Sequence, residues 1–261
     1  MNPPTIADSH CHIAHIDDDP ERIVADALDA GVGVVIDIGM GPSESSAAAD
    51  RAVALAPHVY ATVGVHPNEL AEFEADPEAT TRALRALAGR PRVVGIGETG
   101  LDYYRERSPA ELQETAFRAQ ISLARETGKA LVVHCRDAHE PMLRVLEDAG
   151  PPDRVVMHCF SGDVDFAAEC AERGYYCSFA GNLTYPKSEA LRAAARRVPA
   201  ELLLVETDAP FLAPQSHRGK PNHPALLPNT VEALAAARAM PVQALIELLA
   251  RNTRAAFRID W

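Results

Sequence analysis

The chain has 261 residues, of which 47% are hydrophobic and 24% charged, as in an ordinary globular protein with a large buried core. Its formal net charge of −12 at pH 7 excludes a surface that coats nucleic acid non-specifically, because such binding depends on clustered Lys and Arg. Since no apolar run reaches the ~18 residues of a membrane span and no signal-peptide pattern is present, we expect a cytoplasmic protein without membrane contact.

Short β-branched runs alternate with longer amphipathic or Ala-rich runs along the whole chain. The predicted strands are 5–10, 33–38, 59–65, 93–97, 130–134, 155–158, 175–179 and 202–206. The predicted helices are 20–30, 43–56, 77–87, 109–127, 139–149, 163–173, 187–198, 229–239 and 241–257. Two helix starts are marked by a capping residue followed by proline, at Asp76 and at Ser108.

Eight strands, each followed by a helix, in about 250 residues are typical of a (β/α)8 TIM barrel. We therefore predict a single α/β domain over residues 1–261, with an extra C-terminal helix at 241–257 packed outside the barrel. A doubly wound open sheet is the alternative fold. It is disfavoured because no glycine-rich turn follows the first strand.

The first strand carries the sequence DSHCH. In a regular strand alternate side chains share a face, so Asp8, His10 and His12 are expected on one face, with Ser9 and Cys11 on the other. The same alternation predicts that three cysteines point outward against the helices and serve only in packing: Cys11, Cys135 and Cys159.

Metal-ligand residue types recur at the carboxyl ends of six of the eight predicted strands. After the pair in the first strand, they are His66, Glu98, His134, His158 and Asp208. The active site of a TIM barrel lies at this end, so these side chains are expected to converge. Five of the ten histidines gather there, which is poorly explained by chance.

Imidazole and carboxylate together suit Zn²⁺, Mn²⁺, Fe²⁺ or, with more oxygen ligands, Mg²⁺. Two neighbouring divalent ions need a bridging carboxylate, and Glu98 is the natural bridge. The coordination of one ion would be completed by His10, His12 and Asp208, and that of the other by His134 and His158. The two ions would activate a water, with Asp208 placed to accept its proton.

Several other residues near these strand ends have two alternative roles each. His66 either contacts a phosphate or orients a water, or is structural. Arg136 either pairs with phosphate or forms a salt bridge with a carboxylate, and Ser161 either donates to a phosphate oxygen or is an ordinary loop residue. Glu206 is expected to hold a ligand rather than to be one. The tyrosines at 103–104 either stack on a base or cap the barrel.

The motifs DSHCH, GVHP, GETGLDY, VVHCRDA, HCFSG, ETDAPFL and RGKPNHP, spanning residues 8–224 in order, resemble those of the TatD family of metal-dependent hydrolases. The resemblance implies a (β/α)8 fold, a site for two divalent ions (Mg, Mn or Zn), and phosphodiester hydrolysis, commonly as a 3′–5′ exodeoxyribonuclease. It implies metal ligands at His10, His12, Glu98, His134, His158 and Asp208. One departure is His223, where the family often has Glu in the last motif.

Because the surface is acidic, the expected substrate is a single-stranded nucleic acid end, most simply DNA, rather than long duplex. Two other functions remain open. One is a glutamate-bridged amidohydrolase-type enzyme that opens a lactone or cyclic amide; a carboxylated-lysine bridge is excluded because none of the three lysines ends a strand. The other is a non-catalytic metal-stabilised barrel, although structural zinc sites are usually rich in cysteine.

Overall fold

The computed structural model describes residues 5–105 and 107–261. Eight parallel strands follow one another around a single sheet in chain order, and a bridge between Cys11 and Ala209 joins the end of the first strand to the segment that follows the last. The strands are β1 Ile6–Cys11, β2 Val32–Ile38, β3 Val59–Val63, β4 Val93–Asp102, β5 Ala130–Arg136, β6 Val155–Met157, β7 Tyr176–Phe179 and β8 Leu203–Val205. The predicted (β/α)8 barrel is confirmed.

Ten α-helices lie within the described residues. They are α1 Pro20–Asp29, α2 Pro42–Ala54, α3 Ala71–Ala75, α4 Pro77–Ala88, α5 Ala110–Thr127, α6 His139–Ala149, α7 Val164–Glu172, α8 Glu189–Arg197, α9 Leu227–Arg238 and α10 Val242–Phe257. The short α3 was not predicted. In the described part of the chain no single helix is long and apolar enough to span a membrane; only Pro224–Arg238 and Val242–Phe257 taken together, bent by 108°, meet the length and composition test.

The two predicted helix starts have different outcomes. The Asp76 carboxylate accepts a hydrogen bond from the amide of Ala79, as expected of a helix cap. The prediction at Ser108 is wrong by one residue. Pro109 has an extended ψ of 141°, so it is itself the capping position and α5 begins at Ala110.

Apolar side chains form two layers on either side of the barrel wall. The inner layer fills the barrel with side chains such as Ala7, Val34 and Val132, and Phe257 and Ile259 from the end of the chain pack against it. The outer layer packs the strands against the surrounding helices. This arrangement leaves the carboxyl ends of the strands as the place where polar side chains gather.

An extra residue in β1 changes the faces that its side chains occupy. Asp8 is in register with Val35 and Cys11 with Asp37, so three steps along β1 match two along β2. Asp8 therefore does not share a face with the histidines: its carboxylate accepts from the amide and hydroxyl of Thr207. Ser9 contacts Ser178 across the barrel. The predicted alternation is wrong for these two residues, whereas Cys11 does pack in the outer layer.

Candidate metal centre

The carboxylate of Glu98 is central to the cluster at the strand ends, and its two oxygens face different imidazoles. Glu98 Oε1 lies 2.7 Å from His134 Nδ1 and 2.8 Å from His158 Nε2. Glu98 Oε2 lies 3.3 Å from His10 Nε2 and 3.6 Å from His12 Nε2. Burial opposes ionisation of this side chain, but the neighbouring imidazoles outweigh it and hold the pKa of Glu98 well below its usual range. One carboxylate thus reaches two pairs of histidines, which is the geometry that a bridging ligand requires.

Gly97 permits this placement of Glu98. Its φ is +142°, and a Cβ at this position would lie 2.5 Å from the carbonyl oxygen of Val132. Only glycine fits such a backbone so close to the next strand. The amide of Glu98 donates to the carbonyl of Gly39, which ties the inward turn to the neighbouring segment.

Asp208 joins the two histidines of β1 through backbone pairing. The amide of Asp208 donates to the carbonyl of His10, and the amide of His12 donates to the carbonyl of Ala209, each at 2.9 Å. As a result, Asp208 Oδ1 lies 3.7 Å from His10 Nε2 and 3.5 Å from His12 Nε2. Burial raises the pKa of Asp208, but contact with His12 and the nearby His158 and His10 lowers it below its usual value.

Two ring contacts determine which nitrogens of His134 and His158 face inward. His134 Nε2 lies 3.1 Å from Asp102 Oδ2, and His158 Nδ1 lies 3.2 Å from Glu206 Oε1. Because a carboxylate only accepts, each of these nitrogens donates to its carboxylate, and the other nitrogen of each ring lies beside Glu98, where it is the one that a metal ion could bind. Glu206 therefore makes the contact expected of a residue that holds a ligand.

Asp102 is a part of the site that sequence reasoning missed. Strand β4 was predicted to end at 97 but continues to Asp102, which is in register with Arg136 of β5. The carboxylate accepts from Asn68 Nδ2 at 2.8 Å as well as from His134. Burial opposes ionisation, but these hydrogen bonds keep the pKa of Asp102 below its usual range. The signal in the sequence was an acidic residue four positions after Glu98, with no charged residue between the two.

We expect Asp102→Asn to lower metal affinity by about 10–100-fold, because an amide no longer fixes the tautomer and orientation of His134. Metal affinity would be measured by competition with a chelating dye, together with circular dichroism to check the fold. Asp50→Asn, on the exposed side of α2, is the control. An unchanged affinity in the folded Asp102→Asn protein would show that Asp102 does not support the ligand.

His66 differs from the other histidines of the cluster in its hydrogen-bond arrangement. Its Nδ1 accepts from the amide of Asn68 at 3.0 Å, so the neutral ring carries its hydrogen on Nε2. That nitrogen lies 3.4 Å from Glu98 Oε1. In this tautomer His66 offers a hydrogen-bond donor rather than a lone pair at Nε2.

The donor atoms converge closely enough to hold metal. Three groups each place one candidate ligand atom per residue within 4.8 Å of the others: His10, His12 and Asp208; His10, His158 and Glu206; and His66, Glu98 and His134. His10 Nε2 and His12 Nε2 are only 3.1 Å apart, and two such lone pairs repel unless a proton or a cation lies near them. The buried imidazoles and carboxylates therefore suit a divalent cation.

A cavity of about 780 Å³ opens over the cluster, and His66, Arg136 and Ser161 border it. The guanidinium of Arg136 stacks 3.9 Å above the ring of Tyr104 rather than forming a salt bridge within the described residues. Ser161 is exposed at the cavity and donates weakly to the carbonyl of Cys135. Of the two tyrosines, Tyr103 packs against the core, whereas Tyr104 is 63% exposed.

The cysteines do not all point outward as predicted. Cys135 packs against the outer layer, although it also borders the cavity. Cys159 follows β6 instead of lying in it, has a φ of +44°, and lines the cavity, so its predicted orientation is wrong. The strand period does not apply there because β6 ends at Met157. The amide of Cys159 donates to Glu206 Oε1, so the backbone rather than the thiol faces this carboxylate.

Cys159→Ala is expected to retain the full metal content, because no cysteine belongs to any group of converging ligand atoms in the described residues. The backbone contact with Glu206 survives the substitution, and the cost in unfolding free energy should be about 1 kcal/mol or less. Elemental analysis of the purified variant beside the wild type checks this. Loss of metal from a folded Cys159→Ala protein would make the thiol a ligand.

His223, the departure from the family pattern, lies outside the cavity lining. Its Nδ1 accepts from the amide of Ala225 and so begins a short turn. The loop holds the segment after β8 through the preceding residue: Asn222 Nδ2 donates to the carbonyls of Thr207 and Phe211. The substitution therefore affects how the turn starts and not how this segment is held.

Comparison with known proteins identifies the family. The family model described as TatD related DNase matches residues 7–258. The chain belongs to the TatD family. A metal-dependent hydrolase TatD of Mycobacterium tuberculosis is 37% identical over 98% of this chain and 99% of its own. A protein of Citrobacter rodentium named 3′-5′ ssDNA/RNA exonuclease TatD is 39% identical over 92% of each chain.

A solved structure agrees with this assignment. The TatD homologue YjjV of Escherichia coli superposes with a TM-score of 0.91, at 27% identity, over 98% of both chains. Membership of the TatD family makes this protein a metal-dependent hydrolase. The resemblance seen in the motifs is confirmed.

Proposed function

We propose that this TatD-family hydrolase is a phosphodiesterase that removes nucleotides from the 3′ end of single-stranded nucleic acid, with DNA as its main substrate. The observation that carries the proposal is the carboxylate of Glu98, whose two oxygens face two pairs of histidines beneath an open cavity. Support comes from the relative of Citrobacter rodentium, which is named as an exonuclease of single-stranded DNA and RNA.

In this proposal the site takes two divalent ions, Mg²⁺, Mn²⁺ or Zn²⁺. His10, His12 and Asp208 would hold one, His134 and His158 the other, and Glu98 would contact both. Such a pair supplies Lewis acidity to both the attacking and the leaving oxygen of a phosphodiester. This chemistry suits an in-line displacement at phosphorus.

The protein's own groups perform the remaining steps. Asp208 accepts the proton of the attacking water, since it is ionised and borders the cavity. His66 donates through Nε2–H to a phosphate oxygen, and Arg136 and Ser161 contact the phosphate at the cavity wall. Arg105 and Arg107 also line the cavity, Arg107 at 3.9 Å from Glu69, and so place guanidinium groups beside the cluster in an otherwise acidic protein.

The test uses 5′-labelled single-stranded DNA, RNA and duplex DNA, each incubated with purified protein and Mg²⁺, Mn²⁺, Zn²⁺ or a chelator. We expect progressive shortening of the single strands from the 3′ end, release of mononucleotides, and no reaction in the chelator. A 3′-phosphorothioate end is the matched control, since it should slow the first step. A metal-loaded enzyme that ignores every oligonucleotide but opens lactones or cyclic amides would establish the amidohydrolase alternative.

A further inference from the structure

We propose that Phe211 is the platform on which the base of the terminal nucleotide stacks. The inference rests on the proposed nuclease function and adds the part of the substrate that the cavity recognises. Phe211 is 50% exposed, and among the large exposed hydrophobic side chains in the described residues it alone lines the cavity. An exposed aromatic side chain at the rim of a candidate site indicates a ligand surface.

The backbone of Phe211 is fixed on both sides. Its amide donates to the carbonyl of Asp208 at 2.8 Å, and its carbonyl accepts from Asn222 Nδ2 at 2.7 Å. The backbone from which the ring projects is therefore held in a constant position relative to Asp208, three residues earlier. A platform held in this way costs little further ordering when a base stacks on it.

The ring of Phe211 lies beside His12 and His15 and is stacked parallel to neither of them. Its centroid is 5.9 Å from that of His12 and 6.5 Å from that of His15, and the rings meet at 73° and 88°. Edge contacts of this kind support the ring without stacking on it. A nucleobase is one sugar away from its phosphate, so a phosphate at the metal cluster brings its base to this wall.

Charge around the cavity favours a nucleotide over an apolar peptide as the occupant. Arg105, Arg107 and Arg136 border the same cavity, and the guanidinium of Arg136 is held over Tyr104. Guanidinium groups pair with the phosphates that precede the 3′-terminal nucleotide in the strand. Because every base has an aromatic face, the platform binds ends without regard to sequence and excludes bases that remain paired in a duplex.

The test combines substitutions in the protein with changes in the substrate, as in a double-mutant cycle. Phe211→Ala and Phe211→Trp are compared with the wild type on oligonucleotides that end in an ordinary 3′ nucleotide or in an abasic one. Phe211→Ala should lower kcat/KM about tenfold on ordinary ends, mostly through KM, and have little effect on abasic ends. Phe211→Trp should retain activity, and Leu28→Ala, which removes an exposed side chain from α1, is the matched control.

A binding measurement tests stacking without turnover. A 3′-terminal 2-aminopurine joined through a slowly cleaved phosphorothioate should lose fluorescence on binding the metal-loaded wild type, and should lose much less with Phe211→Ala. An equal loss of kcat/KM on ordinary and abasic ends, or no quenching by the wild type, would overturn the platform while leaving nuclease activity standing. A wild type that degrades no oligonucleotide would reject the nuclease function itself and this inference with it.

Discussion

Replacing Glu98 with alanine is expected to remove most of the bound metal and to lower hydrolytic activity by several orders of magnitude. The reason is geometric: Glu98 Oε1 faces His134 and His158, and Glu98 Oε2 faces His10 and His12. The substitution also leaves the nearby imidazoles without the anion that they surround. Among the described carboxylates, Glu98 alone lies within ion-pair distance of members of both pairs.

The measurement is elemental analysis of the purified variant, with activity assayed over a range of added metal. Glu98→Gln keeps the volume and removes the charge, so it separates lost packing from lost ligation. Glu78→Ala, which removes an 89% exposed side chain from α4, serves as the control for mutation itself. Wild-type stoichiometry in Glu98→Ala would refute the bridging role.

Asp208→Asn is expected to preserve the fold and to lower kcat by about 10²–10⁴-fold from the loss of the general base alone. The amide has nearly the shape of the carboxylate, and the backbone pairing with His10 does not depend on the side chain. Loss of one metal contact would lower activity further. Asp153→Asn, at a 90% exposed carboxylate, is the matched control.

The pH profile gives this prediction a second test. The pKa of Asp208 lies below its usual value, so the carboxylate is available as a base throughout the neutral range, and kcat should fall only as the pH decreases toward that pKa. Single-turnover rates of the metal-loaded wild type and Asp208→Asn would be compared from pH 5 to pH 9, a range in which the wild-type rate should show no loss from protonation of Asp208. An equal rate in the two proteins would exclude Asp208 as the proton acceptor.

The barrel could be predicted because the sequence patterns of its strands and of its helices each depend only on residues close together in the chain. Alternating strands and helices of suitable length specify the order of elements, and the parallel topology then brings all strand ends together. Candidate ligands such as His134 and Asp208 follow from this placement alone. Their convergence around Glu98 was expected for that reason, and the distances agree with it.

What could not be predicted depends on register and on long-range contacts. The extra residue in β1 appears only when the strand is paired with β2, and it reverses the faces of Asp8 and Ser9. Asp102 was missed because the length of β4 is determined by pairing with β5. Phe211 was not singled out within its motif, because its place at the cavity depends on a contact between its carbonyl and the distant side chain of Asn222.

The irregularity of β1 has a consequence for transplanting the site into another barrel. On a straight strand the five letters DSHCH would direct Asp8 toward the histidines and add a third carboxylate beside Glu98 and Asp208. Here burial raises the pKa of Asp8 to about 7, and its carboxylate accepts hydrogen bonds from the amide of His10 and from Thr207, in the segment that carries Asp208. A site transferred to another barrel would therefore need the bulge in β1 as well as the sequence DSHCH. The bulge turns Asp8 away from the histidines, so that its carboxylate can hold Thr207 in the segment after β8.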